Sequence, residues 1–307
     1  MSVEVERLGL IVSPSLQPRA GDNINGPCCI AVPIWCKSKL GRVYLYFADH
    51  ACNHIKLAYA DLITGPWTLH EGGVLDLSGF ADAYDHIASP DIVIDAERQQ
   101  LLLYFHARAH SRGREQWTFA AVSNDGLYFK PAADQPLAAF YLKLFSWCGQ
   151  LYGMSKGGNL WRSVSGTDGL SPFEPGGNPF DRRLSDEIWH NEPGSIRHVG
   201  LCLDGTQLSV YFSRIGDAPE RILRSHIDLC GTDWQSWAAS AQEEVLHPQE
   251  EYEGAGLPVQ ISVSGPAHNP ENSIRDPHVL VHLGEKYMFY SVAGEQGIAV
   301  CRLQESK

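Results

Sequence analysis

Long apolar runs, basic clusters and helical periodicity are all missing from this chain of 307 residues. No stretch approaches the ~20 consecutive apolar residues that a membrane-spanning helix needs. Only 24 Lys and Arg stand against 36 Asp and Glu, a formal net charge of -12. Such a surface repels nucleic-acid phosphates and anionic lipid, so neither nucleic acid nor membrane is an expected partner. Cysteine occurs eight times but never as C-x-x-C, which argues against a zinc knuckle or a thioredoxin-type redox motif. Cys28 and Cys29 are adjacent, and Cys36, Cys202 and Cys301 lie in strand-like runs, where a reduced thiol packs as a small hydrophobe. The segment Met1 to Pro14 carries acidic residues and no apolar core with a small-residue cleavage site, so it does not read as a secretory leader and a cytoplasmic location is expected.

What the chain has instead is punctuation and short β-rich runs. There are 29 glycines and 18 prolines, and the apolar segments between them are brief, β-branched and aromatic. Only Trp234 to Glu244 has room for a helical turn or two. The runs recur in pairs. Val43–Ala48 is followed by Ile55–Ala60, Leu101–His106 by Trp117–Val122, and Lys286–Ser291 by Gly297–Cys301. A repeat of roughly 50 to 60 residues marks an array of small sheets, because one such sheet cannot bury its faces alone. Five units fill the chain, at about 25–75, 86–132, 138–176, 192–248 and 274–303. The expected fold is therefore all-β, a five-bladed β-propeller forming one domain over residues 1–307. Arg7–Val12 has no blade of its own and is expected to complete the last one as its outer strand, which removes a free sheet edge.

In a propeller the first strand of each blade lines the axis, so residues that open those strands converge on one mouth. The openings read Asn25-Gly26-Pro27-Cys28, Ala88-Ser89-Pro90-Asp91, Phe140-Tyr141-Leu142-Lys143, Glu192-Pro193-Gly194-Ser195 and Arg275-Asp276-Pro277-His278. Asp91, Glu192 and Asp276 thus fall at equivalent places in three blades. Carboxylates from separate blades meeting in a concave site are what glycosidic-bond cleavage requires, one to protonate the leaving oxygen and one to activate water or attack carbon. Asp beside Pro also makes an ordinary turn, so each aspartate has a structural reading as well. Thirteen histidines are unusually many. His50, His86 and His106 end or precede inner strands, and His190, His198, His268 and His278 surround the last two openings. Imidazole both donates and accepts, which suits sugar hydroxyls. Arg197 joins them on the fourth inner strand, and Arg221 or Arg275 could grip a carboxylate or phosphate in two-pronged fashion, or tie neighbouring blades through an aspartate. Trp35, Trp147, Trp161 and Trp189 are candidate stacking platforms for sugar rings or packing between blades. Trp189 leads them because it sits in the long polar loop Ser185 to Pro193.

Ser89-Pro90-Asp91-Ile92-Val93, Arg275-Asp276-Pro277-His278-Val279 and Ile55–Ala60 ending in Gly65-Pro66-Trp67 resemble the five-bladed glycoside hydrolases, the arabinanase, levansucrase and invertase superfamily that includes family 43. The resemblance covers all five blades in pattern, through short motifs. It implies a base or nucleophile aspartate, a second aspartate that tunes pKa and orients substrate, and a glutamic acid that donates a proton. Asp91 matches the tuning aspartate. The base motif belongs to the first blade, where this chain has Asn25-Gly26-Pro27, and Asp276-Pro277 supplies it in the last blade. The acid is Glu253, by its Glu-Gly pair, or Glu192, by its position. The resemblance also implies inversion and room for an axial calcium ion, with no required cofactor, and a funnel with one mouth suits exo attack on a small glycan or glycoside. Two other readings stay open: a non-catalytic carbohydrate-binding or scaffold propeller, favoured by the missing first-blade aspartate, and a glycoside phosphorylase in which an arginine cluster binds phosphate.

Overall fold

The computed structural model describes residues 3–133, 135–180, 191–231 and 233–305. Five small antiparallel sheets form a ring, each with its three innermost strands in chain order from the axis outward. The inner strands are Ile24–Ala31, Ala83–Asp95, Lys143–Trp147, Ile196–Asp204 and Ile274–His282. Each neighbours the next around the axis, and the fifth returns to the first. Val3–Val12 is the outer strand of the fifth blade, with Val3 opposite Glu305 and Val12 opposite Ile298, as the sequence led us to expect. The third blade begins later than expected. Ala138–Ala139 pairs with Trp117 and Thr118 and so belongs to the second blade. The helical turn near Trp234 is a single 3-10 turn, Trp234–Ser236, before the strand Glu243–Leu246.

The short apolar runs of the sequence follow from burial on both faces. Alternate side chains of a strand point to opposite sides of its sheet. In Val43–Asp49, Tyr44 and Tyr46 enter the core shared with the second blade, while Val43, Leu45 and Phe47 enter the core shared with the fifth. In the second blade, Leu101, Leu103 and Phe105 face the first blade and Leu102 and Tyr104 face the third. Five apolar clusters result, one in each cleft between blades. Tyrosines fasten the clefts as well as filling them. Tyr46 donates its hydroxyl proton to the Gly126 carbonyl at 2.9 Å, and Tyr104 does the same to Gly169 at 2.9 Å. Trp161 is buried in one of these cores with its Nε1–H donated to Ser155 Oγ, and Trp35 and Trp147 pack against two others. These three tryptophans therefore take the packing role rather than that of sugar platforms. All eight cysteines are free, and Cys28, Cys29, Cys36, Cys202 and Cys301 are buried. Among the described residues, no helix is long and apolar enough to cross a membrane.

Candidate functional site

Each inner strand except the third carries an irregularity at its opening, and these bulges set what faces the axis. Register runs from Asn25 opposite Ala48 to Cys28 opposite Tyr46, from Ala88 opposite His106 to Asp91 opposite Tyr104, and from Arg275 opposite Ser291 to His278 opposite Phe289. Asp276 is therefore the counterpart of Gly26 and Ser89, and Asp91 is the counterpart of Cys28 and His278. The two aspartates expected at equivalent places lie one layer apart. Gly26, Ser89, Tyr141 and Asp276 all have left-handed backbones, with φ of 59, 48, 59 and 54°. Three of the four are not glycine, a concentration of strain typical of functional sites.

The outermost layer is a cavity of about 490 Å³, lined by residues from every blade. They include Asn25, His50, His86, Tyr141, Lys156, Arg197, His198 and Glu295, with Ser264 to Pro266 contributed by the long loop before the fifth blade. That loop is pinned from inside: Arg197 donates Nη1–H to Gly265 O at 3.1 Å and Nη2–H to Val263 O. Beneath the cavity, His198 donates Nδ1–H to Asp276 Oδ1. Asp276 Oδ2 accepts from Ser291 Oγ at 2.9 Å and from the Gly26 N–H at 3.3 Å. Burial works to raise the Asp276 carboxyl, but His198, Arg275 and Ser291 outweigh it and hold the group below its ordinary 3.8. An ionised Asp276 can only accept, so it fixes the His198 tautomer with a lone pair on Nε2. Nε2 is buried and has no partner among the described residues. Burial holds His198 below the ordinary imidazole value of 6.5 despite the neighbouring carboxylate.

His50 has the opposite environment. Its Nδ1 lies 3.3 Å from Glu295 Oε2 and against Asn23 Oδ1. Burial disfavours its charge, yet Glu295 prevails and the net shift from 6.5 is upward. His86 and His106 complete a histidine wall, with ring centroids 6.4 Å apart for His50 and His86 and 5.4 Å for His86 and His106. His106, expected to bind substrate, is buried edge-on against Tyr141 and does not line the cavity; neither ring nitrogen has a partner among the described residues, and burial pushes its pKa far down. A buried ion network joins the fourth and fifth blades. Glu220 accepts from Arg197 Nε at 2.7 Å and lies 3.0 Å from Arg275 Nη2, and Arg275 Nη1 lies 3.7 Å from Glu295.

Several expected site residues lie elsewhere. Asp91 is 6% exposed and does not line the cavity. Its Oδ2 accepts from the Leu144 N–H at 3.0 Å and its Oδ1 lies 3.4 Å from Lys143 Nζ, so it ties the second blade to the third. Glu253, expected as the acid, is fully buried against the outer strand of the fifth blade. It accepts from Arg7 Nε at 3.0 Å, Tyr290 Oη at 2.8 Å and the N–H groups of Gln249 and Glu250. Its lone pairs are spent on joining the N-terminal strand to the ring. Glu253→Gln is accordingly expected to cost about 3 kcal/mol in urea unfolding, because Arg7 loses its charged partner, and to leave the cavity's ligand affinity unchanged. Glu192 is exposed, and its neighbour Asn191 is the one that lines the cavity. Arg221 lies outside the cavity, 3.2 Å from Glu244 and 3.7 Å from Asp217, and holds a hairpin. Arg275 is buried among Glu220, Glu271 and Glu295, so its forks are occupied by this chain's own carboxylates. Trp189 and His190 fall outside the described residues. His50, His86, Arg197 and His198 line the cavity, and His268 joins them.

Lys156 and Glu295 went unremarked in the sequence. Both follow the second strand of a blade, as His50 does. In an antiparallel blade the end of the second strand meets the opening of the first, so these hairpin loops share the cavity's side of the ring. That topological rule was the available signal.

One group of side chains deeper on the axis could hold a metal ion: Cys28, Asp91 and His278, whose ligand atoms lie within 4.8 Å of one another. The donor set does not fit calcium, which takes six to eight oxygens. Burial also pushes the Cys28 thiol up to about 12, and Lys143 already serves as the cation beside Asp91.

The five-bladed ring is the fold of several solved glycoside hydrolases. CoXyl43, a GH43 β-xylosidase/α-arabinofuranosidase from a compost microbial metagenome solved with xylotriose, superposes with a TM-score of 0.63 at 14% identity, over 99% of this chain and 96% of that one. A GH130 structure, from a family of mannoside phosphorylases that contains hydrolases of β-1,2 mannosidic linkages, gives 0.67 at 10% identity, over 98% and 94%. The GH43_1 enzyme from Xanthomonas citri gives 0.61 at 11% identity, over 99% and 92%. No known family profile matches the chain. By sequence the chain belongs to the family of uncharacterized protein R118 of Acanthamoeba polyphaga mimivirus, which is 38% identical over 301 residues, 92% of this chain and 83% of that protein.

Proposed function

We propose that the chain is a glycoside hydrolase that cleaves a small glycan or glycoside in the cavity at the propeller mouth, with His198 as general base and His50 as general acid. The observation that carries this reading is the unpartnered Nε2 of His198, held over Asp276 beneath a cavity to which all five blades contribute. Acid and base are assigned by environments that push two similar groups apart. Burial drives His198 down, which favours its neutral form, and Glu295 drives His50 up, which favours its protonated form. Water positioned at His198 Nε2 would lose a proton there as its oxygen bonds to the anomeric carbon. The glycosidic bond breaks in the same step, and its oxygen takes the proton of His50. Asp276 and Glu295 each stabilise the imidazole that carries charge, as a carboxylate does for the histidine of a hydrolytic triad. A single displacement by water inverts the anomeric centre, in agreement with the stereochemistry that the sequence resemblance implies.

A pH profile tests the assignment. The base must be neutral and the acid protonated. The profile of kcat/KM is therefore expected to rise through a pKa below 6.5 and fall through one above 6.5. In His198→Gln the rising limb should vanish with most of the rate, and an unchanged bell would rule out the assignment.

A carbohydrate-binding propeller without catalysis is the second reading. It is favoured by the first blade, where Gly26 stands in place of the family's base. A Cβ built on Gly26 would come 2.9 Å from Ser89 Cα. Sugar binding without product release is its signature.

A further inference from the structure

Nearly every charge around the cavity is matched by another within the protein. Glu295 pairs with His50 at 3.3 Å, Asp85 with Arg108 at 3.1 Å, Arg197 with Glu220 at 2.7 Å, and His198 with Asp276. Lys156 is different. It is 6% exposed, and its ammonium donates to the neutral amide oxygen Asn191 Oδ1 at 2.6 Å. It also stands 5.4 Å from the Phe140 ring centroid and 5.8 Å from that of Tyr141. Among the described residues, no carboxylate is paired with it. An ammonium has three protons to donate, and Asn191 Oδ1 is shared with Ser264 Oγ at 2.8 Å. A buried cation without a counter-ion is costly and is relieved by losing its proton or by an anion brought from outside. The first tendency is visible: burial, then Arg197, brings Lys156 down from 10.5 to about 8, which still leaves it mostly charged at neutral pH.

We propose that the cavity takes a sugar bearing an anionic group, a carboxylate or a phosphate, and that Lys156 receives that group. The inference rests on the reading that the cavity holds a sugar, and it does not depend on which residues carry the catalytic step. Asn191 and Ser264 form the polar edge beside the ammonium, and the Phe140 and Tyr141 rings form its apolar side. The substrate class is then an acidic glycoside, a uronide or a phosphorylated sugar.

Calorimetric titration of the full-length protein tests this, with glucuronate, galacturonate, glucose 6-phosphate, glucose, xylose and inorganic phosphate as separate ligands. At least one acidic sugar is expected to bind about ten-fold more tightly than neutral glucose, the gain of one charge-assisted contact. In Lys156→Gln that ratio should fall to within about two-fold, and in Lys156→Arg it should largely return. The uronate and phosphate arms separate the two sources of charge. Equal affinity for acidic and neutral sugars, or an advantage that survives Lys156→Gln, overturns the proposal. Inorganic phosphate binding as tightly as glucose 6-phosphate also overturns it, because the anion would then be a separate co-substrate. Absence of glycoside cleavage would sink the hydrolase reading while leaving these ratios to be judged on their own. Failure to bind any of the sugars would remove the premise and the proposal together.

Discussion

Asp276→Asn should lower kcat by roughly three orders of magnitude with little loss of secondary structure. The substitution is nearly isosteric and keeps an oxygen for Ser291 and the Gly26 N–H. What it removes is the charge that fixes His198. With an amide in place of the carboxylate, Nδ1–H is no longer the required tautomer, and the amide can present its own N–H to Nδ1. The proton then sits on Nε2, where the lone pair is needed, and water at the cavity floor meets a donor instead of a base. The loss should appear in kcat more than in KM, because Asp276 acts through His198 and does not reach the cavity itself. Asp91→Asn supplies the contrast. Asp91 lies one layer deeper and bonds to Leu144 and Lys143, so its replacement should act on stability more than on rate. A variant pair with the two effects exchanged would return the tuning role to Asp91 and contradict the arrangement described above.

Glu220→Gln should be the most destabilising conservative change in the molecule. Glu220 is fully buried and lies between two guanidinium groups, Arg197 on the fourth inner strand and Arg275 on the fifth. Ser213 Oγ gives it a further hydrogen bond at 2.7 Å. With its charge removed, two buried arginines remain close together, and Arg275 keeps only Glu271 and the more distant Glu295. Removing one partner of a buried ion pair costs about 3–5 kcal/mol, because an uncompensated charge is left behind. For a chain of this size, that is a fall in Tm of roughly 5–8 °C. The long loop should also loosen, since Arg197 holds Val263 and Gly265 only while Glu220 orients it. Differential scanning calorimetry reads the first effect, and proteolysis after Leu257 to Ser264 reads the second. An unchanged Tm would mean that the network contributes little and that the apolar clefts alone set stability.

The sequence carried the architecture well because the architecture is a repeat. Runs such as Val43–Ala48 and Leu101–His106 are apolar at every position because each blade is covered on both faces, and that pattern survives without any knowledge of contacts. The closure by the N-terminal strand was equally legible, since Arg7–Val12 had no other sheet to join. The site was legible only in part. Of the polar residues singled out along or beside the inner strands, His50, His86, Arg197 and His198 line the cavity, whereas His106, singled out with them, does not. Asp91 and Glu253 lie away from the cavity for two physical reasons. A bulge two residues long separates Asp276 from the layer of Asp91, and a bulge leaves no mark in composition. Glu253 has the right neighbour in Gly254, but the capping of a short turn by Glu250 and the reach of Arg7 from the far end of the chain turn it outward. Long-range pairing of that kind, 246 residues apart in sequence, cannot be inferred from a local motif.

One comparison tests a centre built on Asp276 and His198 most directly: monosaccharide released from a panel of neutral and acidic glycosides by the wild type and by Asp276→Asn, at matched concentration and with both proteins confirmed as folded. The prediction is release of one sugar by the wild type, strongest from an acidic glycoside, and its near-complete loss in the variant. Release that proceeds equally in both proteins, or sugar binding with no release by either, would contradict a hydrolytic centre built on Asp276 and His198.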